Sequence, residues 1–278
     1  MVRTYTPMIE TKFFYDVSRG KRDLWNKTNA KRKGWERKYY MLFRTVLNRE
    51  FKKLADRIDI TNYNNIDLPD RIIDEFPVKL LMLDLYKNVG VSFAKDAYRE
   101  LSVSAKQRKD ENDLEDYWMH EMDKYIKTTA TDKITSIAVA TRLAAKGIIR
   151  QILEQAVNEG WGADVIAREI RKQLVKQGVE MNTWRALRIA RTEIMTASNY
   201  GSYAGAESLG VPLEKFWIAT YDQRTRDTHE VIEQQNPKDM DSDFTVGSYQ
   251  MSRPGDPRGG AEEVINCRCA IAFGVKGM

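Results

Sequence analysis

Apolar residues recur at three- and four-residue steps through most of the first two hundred positions of the chain. From Trp35 to Ile58 this spacing places the large apolar side chains on one face of an amphipathic helix. Similar faces follow over 78–93, 112–128 and 131–156. Because each such helix must bury its apolar face against another element, the pattern predicts packed helices rather than a β-sandwich for this region.

Glycines mark the expected ends of these helices. The breaker at Gly160–Gly162 ends the helix that begins near residue 131. Gly178 is expected to divide the next stretch, so that a short helix ends there and another starts near Thr183.

The character of the sequence changes after Gly210-Val211-Pro212. Residues 215–220 are aromatic and β-branched, turn-rich sequence follows, and 270–273 form a last apolar run, which indicates short strands. The predicted fold class is α+β: a mainly α-helical N-terminal region with a small C-terminal α+β domain. The expected domains are a basic, irregular N-terminal arm over 1–33, a helical domain over 34–210 and the small domain over 211–278.

Positive charge is concentrated near the N-terminus. The whole chain has a formal net charge of +5, yet residues 19–53 alone hold thirteen Lys or Arg against three Asp or Glu, with tryptophans and tyrosines between them. Such a segment attracts a phosphate backbone or an acidic protein surface, although a solvated helix face explains it equally well. The candidate residues for contact with DNA or with a partner protein are Lys21, Arg22, Lys31, Arg32, Lys33, Arg37 and Lys38.

Several classes of protein are disfavoured by what the sequence lacks. The two cysteines, Cys267 and Cys269, do not make a secreted disulfide framework, and no apolar run approaches the length of a membrane span. There is no phosphate-binding loop, nucleophile elbow or dinucleotide-binding glycine motif. His120-Glu121 begins like a zinc-protease helix, but Lys124 stands where that motif needs its second histidine.

Four short motifs stand in order in the last ninety residues. The first is Ala190-Arg191-Thr192-Glu193, which follows Trp184. The second is Trp217 in a predicted strand, followed by Asp222, Thr225, Arg226 and His229 with the spacing D-x-x-T-R-x-x-H. The third is Pro254-Gly255-Asp256-Pro257, and the fourth is Asn266-Cys267-Arg268-Cys269 before the last strand.

In this order and at these separations, the motifs resemble the phage Mu F-like minor head protein family, also called the head morphogenesis family, over roughly residues 160–273. The resemblance implies a non-enzymatic protein of the virion, inside the capsid near the portal vertex, that passes through the host cytoplasm during assembly. It implies a role in head morphogenesis and in DNA packaging or delivery. The implied partners are the portal protein, a scaffold or major capsid protein, and genomic DNA bound without sequence specificity; no membrane is implied.

The motif residues have a structural interpretation and a chemical one. In the structural interpretation, Asp222 accepts hydrogen bonds in a turn, and Arg226 pairs with Asp222 or Asp256. Arg191 and Glu193 would tether their helix to the C-terminal domain by ion pairs.

In the chemical interpretation, one imidazole and two thiolates from His229, Cys267 and Cys269 bind Zn²⁺, with Asp222 or Asp256 as a fourth ligand. No cofactor is required by the first interpretation, and zinc is the candidate in the second. The alternative function is a metal-dependent hydrolase or nuclease centred on His229.

Overall fold

A computed structural model of the protein describes residues 10–107, 109–220 and 222–277, with side chains described from residue 20 onward. The helices are α1 Glu10–Ala55, α2 Leu68–Ile72, α3 Phe76–Leu85, α4 Val91–Ser104, α5 Glu111–Tyr125, α6 Thr131–Glu159, α7 Ala163–Glu207, α8 Asp227–Glu230 and α9 Gly260–Val264. The strands are β1 Leu213–Ile218, β2 Lys238–Asp239, β3 Phe244–Val246, β4 Tyr249–Met251 and β5 Ala270–Val275. The predicted α+β class is confirmed.

The first helix begins far earlier than the sequence predicted. Residues 10–33 were expected in an irregular arm, but they form the first half of α1, and residues 1–9 lie outside the described part. Gly20 and Gly34 lie inside this helix, and a Cβ atom at either position would face open space. Trp25 and Arg32 hold this half of the helix by hydrogen bonds to residues near the C-terminus. Tertiary contacts therefore override the local breakers.

Two π-helical turns make the middle helices longer than predicted. Tyr86–Gly90 joins α3 to α4, and Ile126–Ala130 joins α5 to α6, so each pair runs on without a loop. The predicted end of α6 is confirmed, because Gly160 takes a left-handed conformation with φ 69°.

Helix α7 is the central element and packs mainly against α1 and α4. The predicted break at Gly178 is wrong: the glycine lies inside α7, where it faces the ring of Phe51. At Gly201 the helix comes so close to α4 that a Cβ atom would lie 2.1 Å from the carbonyl oxygen of Gly90. Only glycine permits this backbone approach.

The C-terminal part is built on a three-stranded antiparallel sheet in the order β2-β1-β5, with Trp217 opposite Ile271. Strands β3 and β4 form a separate hairpin. The core of the C-terminal part gathers Trp217, Phe244, both cysteines and Met195 of α7. Helix α7 also contributes to the two cores formed among the helices. No helix among the described residues has an apolar stretch long enough to span a membrane.

Candidate functional site

Asp222 and Arg268 form the first of the polar pairs that hold the C-terminal part together. The Arg268 guanidinium donates to both carboxylate oxygens, at 2.5 and 2.8 Å, and the backbone N–H of Arg224 donates to the same carboxylate at 2.9 Å. The Arg268 hydrogen bonds lower the pKa of Asp222. Because Arg268 precedes β5 and Asp222 follows β1, the pair joins these two neighbouring strands at one end.

The predicted partner of Arg226 is wrong. Its guanidinium donates to the carbonyl oxygen of Ile265 at 2.7 Å and reaches neither predicted carboxylate. Thr225 fixes the turn instead, by donating to the carbonyl oxygens of Thr220 and Asp222. The spacing D-x-x-T-R-x-x-H therefore builds a hydrogen-bonded turn that leads into α8.

Asp256 anchors the proline-rich turn. Its carboxylate accepts from the backbone and hydroxyl of Ser252, at 2.8 and 2.9 Å, and from the Arg258 guanidinium at 2.6 Å. Burial alone would raise the pKa of Asp256, but Arg258 and Arg253 lower it to about 2. Gly255 has φ 82°, and a Cβ there would lie 2.9 Å from the hydroxyl oxygen of Thr196, so this turn lies directly against α7.

Asn199 and Arg32 form a buried polar junction that the sequence interpretation missed. The Asn199 amide donates to the carbonyl oxygens of Pro254 and Cys269, both at 3.1 Å. Arg32 reaches across from α1 and donates to Asn199 Oδ1 at 2.6 Å, Ser198 Oγ at 2.7 Å and the Cys269 carbonyl at 3.0 Å. One signal for this junction was present: Ser198 and Asn199 are polar residues in a predicted helix, and polar side chains that become buried need hydrogen-bond partners.

The pairs predicted for Arg191 and Glu193 are also wrong in their partners. Arg191 lies 3.8 Å from Glu36 of α1, and Glu193 accepts from Tyr86 at 2.8 Å and lies 3.4 Å from Lys133. Both pairs join helices to one another rather than to the C-terminal part. The tether to that part comes from Thr192 between them, whose hydroxyl oxygen accepts the backbone N–H of Asn266 at 3.0 Å.

His229, Cys267 and Cys269 lie together, with their ligand atoms within 4.8 Å of one another. The distance from His229 Nδ1 is 3.3 Å to the sulfur of Cys269 and 3.6 Å to that of Cys267. Two backbone features direct these side chains: α8 begins after the Asp222 turn, and Asn266 adopts φ 58°, a left-handed conformation that asparagine tolerates well. All three side chains are buried.

Electrostatics in this cluster favour a thiolate. Burial alone would raise the pKa of the Cys269 thiol, but interactions with Cys267 and His229 lower it well below its ordinary value. The hydrogen bond with Cys269, together with burial, raises the pKa of Cys267. The lowered pKa of Cys269 favours its thiolate, the form of cysteine that binds metals or attacks electrophiles.

Neither of the two predicted carboxylates joins the cluster, since Asp222 and Asp256 are held by arginines. The carboxylate next to His229 is Glu263 of α9, whose Oε2 lies 2.9 Å from Nε2, although the ring N–H does not point directly at it. A cleft of about 470 Å³ opens between α6, α7 and residues 257–265, and none of the three cluster residues lines it.

The basic residues of α1 do not form one uniform surface. Arg22, Lys33, Arg37 and Lys38 are exposed, whereas Lys21 and Lys31 are half-buried. Lys31 pairs with Asp96 at 2.6 Å. The prediction that Arg32 contacts DNA or a partner is wrong, because its side chain is 2% exposed and engaged within the fold.

Comparison with known proteins locates a family match in the same part of the chain. The family described as Phage Mu protein F like protein matches residues 147–272. A curated relative, "NAD(+)--arginine ADP-ribosyltransferase EFV" of Enterococcus faecalis, is 34% identical over 123 residues, which are 43% of this chain and 24% of that protein. The chain thus covers about a quarter of the relative's length. No solved structure matches the chain.

The family match contains all four of the predicted motifs, from Ala190 to Cys269, so the resemblance predicted from them is confirmed. Residues 147–272 of this chain are a phage Mu F-like region.

Proposed function

We propose that the protein is a minor head protein of a tailed bacteriophage that acts next to the portal in head morphogenesis and in DNA packaging or delivery. The observation that carries this proposal is the Mu F-like match over residues 147–272, which supports a head-morphogenesis protein. The activity in the name of the Enterococcus faecalis relative belongs to that protein, of which only 24% is matched.

The arrangement of the motif residues supports a structural role. Asp222, Asp256 and Asn199 each join separate segments by hydrogen bonds rather than line a common cleft. His229 and Cys269 are each 1% exposed, so neither is placed to meet a substrate. A protein that positions other components of the head needs such a rigid fold, whereas a hydrolase or nuclease centred on His229 needs access to it.

Partners of this protein would include the portal protein, a scaffold or major capsid protein, and genomic DNA. The exposed cations Lys33 and Arg37 of α1 lie on one side of that helix, one turn apart, and present positive charge to the solvent. Such charge binds a phosphate backbone without reading bases, or an acidic surface on a portal subunit.

The first test is the composition of the virion. Mass spectrometry of purified particles of the phage that encodes this chain is expected to detect it in few copies per particle. A strain with the gene deleted is expected to accumulate misassembled or empty heads, visible by electron microscopy. Wild-type numbers of filled heads after deletion, together with absence of the chain from particles, would contradict the proposal.

The second test concerns the charged surface of α1. The double variant Lys33→Glu/Arg37→Glu is expected to weaken capture of the purified portal protein or of duplex DNA. It is also expected to reduce the salt dependence of DNA binding. The slope of the logarithm of the binding constant against the logarithm of the salt concentration should become shallower by about one unit for each phosphate that is no longer neutralised. The matched control, Arg150→Glu/Lys176→Glu, reverses two exposed cations outside α1. Equal behaviour of the two variants would show that α1 is not the binding surface.

A further inference from the structure

We propose that His229, Cys267 and Cys269 bind one Zn²⁺ ion, which links α8 to the beginning of β5 as a structural cross-link. This site is independent of the role in head assembly. It rests on the distances within the cluster, on the carboxylate beside His229 and on the charge that surrounds the sulfurs.

The distances agree with the geometry of a zinc site. With Zn–S near 2.3 Å and Zn–N near 2.0–2.1 Å in a tetrahedron, a nitrogen and a sulfur ligand lie roughly 3.6 Å apart. His229 Nδ1 lies 3.3 Å from the sulfur of Cys269 and 3.6 Å from that of Cys267. Both nitrogen–sulfur distances thus already lie close to the separation that one ion would impose.

Glu263 lies where a histidine ligand ordinarily has a supporting carboxylate, and a small rotation of the ring would align its N–H with that group. Histidines that bind metals through one ring nitrogen usually direct the other to a carboxylate, which fixes the ring and its tautomer. Glu263 Oε2 lies 2.9 Å from His229 Nε2, and Thr228 Oγ1 donates to the same oxygen at 3.0 Å. Nδ1 is therefore the nitrogen left to face the sulfurs.

Arg32 provides positive charge beside the two sulfurs. Its guanidinium is buried, and its hydrogen-bond acceptors are neutral: Ser198 Oγ, Asn199 Oδ1 and the carbonyl oxygens of Arg268 and Cys269. Thiolates give this buried cation a counter-charge, and a metal ion stabilises them in that form. A donor set of sulfurs and imidazole selects zinc over magnesium or calcium, which prefer oxygen ligands.

The site has three protein ligands, because Asp222 and Asp256 are committed to arginines elsewhere. Burial of the cluster leaves a fourth position only for a small ligand such as water. Zinc binding displaces the thiol protons of Cys267 and Cys269, so its affinity falls as the pH is lowered.

The test uses the full chain, stripped with a chelator, incubated with Zn²⁺, desalted and examined by elemental analysis. We expect about one zinc per chain, and a higher melting temperature with zinc than with chelator. Cys269→Ser is expected to lose the stoichiometric zinc. Glu263→Gln is expected to keep the site but bind zinc about 10- to 100-fold more weakly. His120→Ala changes the other, exposed histidine and is expected to bind like the wild type.

A second measurement uses the wild-type protein, so that the proposal can be tested even if a cysteine variant does not fold. Cobalt(II) added to the stripped wild-type chain is expected to produce the thiolate-to-metal charge-transfer absorption in the near ultraviolet, and zinc is expected to remove it by competition. Absence of this absorption, or well under one zinc per chain in the wild type, would overturn the proposal. So would a folded Cys269→Ser variant with undiminished zinc.

Discussion

Replacement of Arg32 by alanine tests whether α1 is part of the C-terminal fold. The guanidinium makes four hydrogen bonds, to Ser198, Asn199 and the carbonyl oxygens of Arg268 and Cys269. Three of these acceptors keep another donor: Asn199 Oδ1 from Ile271, the Cys269 carbonyl from Asn199, and the Arg268 carbonyl from Trp25. At about 1 kcal/mol for each hydrogen bond removed, the free energy of unfolding falls by about 4 kcal/mol.

Urea unfolding followed by circular dichroism measures this decrease, and the melting temperature is expected to fall by roughly 8 °C, at roughly 2 °C per kcal/mol for a chain of this length. The control is Lys33→Ala, which removes the next cation along the helix. Since Lys33 is exposed, its replacement is expected to change the free energy of unfolding by no more than about 0.5 kcal/mol. If the two variants are equally stable, the junction built on Arg32 does not support the fold.

Gly201→Ala tests the packing of α7, and Asp256→Asn tests the proline-rich turn that Asp256 anchors. Gly201→Ala is expected to destabilise the protein by about 2 kcal/mol or more in urea unfolding, because its Cβ would lie 2.1 Å from the Gly90 carbonyl oxygen. As a control, Gly147→Ala in α6 places its Cβ in open space and is expected to stabilise the protein by about 0.5–1 kcal/mol. If the two alanine variants have equal free energies of unfolding, the close approach of α7 to the Gly90 carbonyl is refuted. The pKa of Asp256 is lowered from 3.8 to about 2, so its charged form adds about 2 kcal/mol to the free energy of unfolding above roughly pH 4. This contribution is lost as the pH falls toward 2. The difference in unfolding free energy between wild type and Asp256→Asn is expected to shrink over that range; a difference independent of pH would contradict the assignment.

The parts of the fold that could be predicted are those encoded by local patterns. The helical period, the Gly160 helix end and the strands before and after the turn-rich segment all depend on neighbouring residues. The length of α1 could not be predicted, because Gly20 and Gly34 appear as breakers until the hydrogen bonds of Arg32 with distant residues are known.

In the candidate site, the hydrogen-bond partners of individual side chains could not be predicted, because these partners lie far apart in the sequence. The sequence predicted that Arg226 pairs with Asp222 or Asp256. The observed partner of Asp222, Arg268, is 46 residues away and becomes adjacent only when β5 pairs with β1. Glu263 could not be chosen among many acidic residues, since its role depends on how α9 packs beside His229. Metal binding by the cysteine and histidine cluster stays a prediction.

The dependence of the C-terminal junction on α1 limits how the Mu F-like region can be transplanted. Residues 147–272 include Ser198 and Asn199 but not Arg32, which donates a hydrogen bond to each of them. In a fusion protein that carried this segment alone, Ser198 and Asn199 of α7 would lose the hydrogen bonds that Arg32 donates here. The fusion partner would therefore need a helix that packs on α7 and places a cationic side chain where Arg32 lies here.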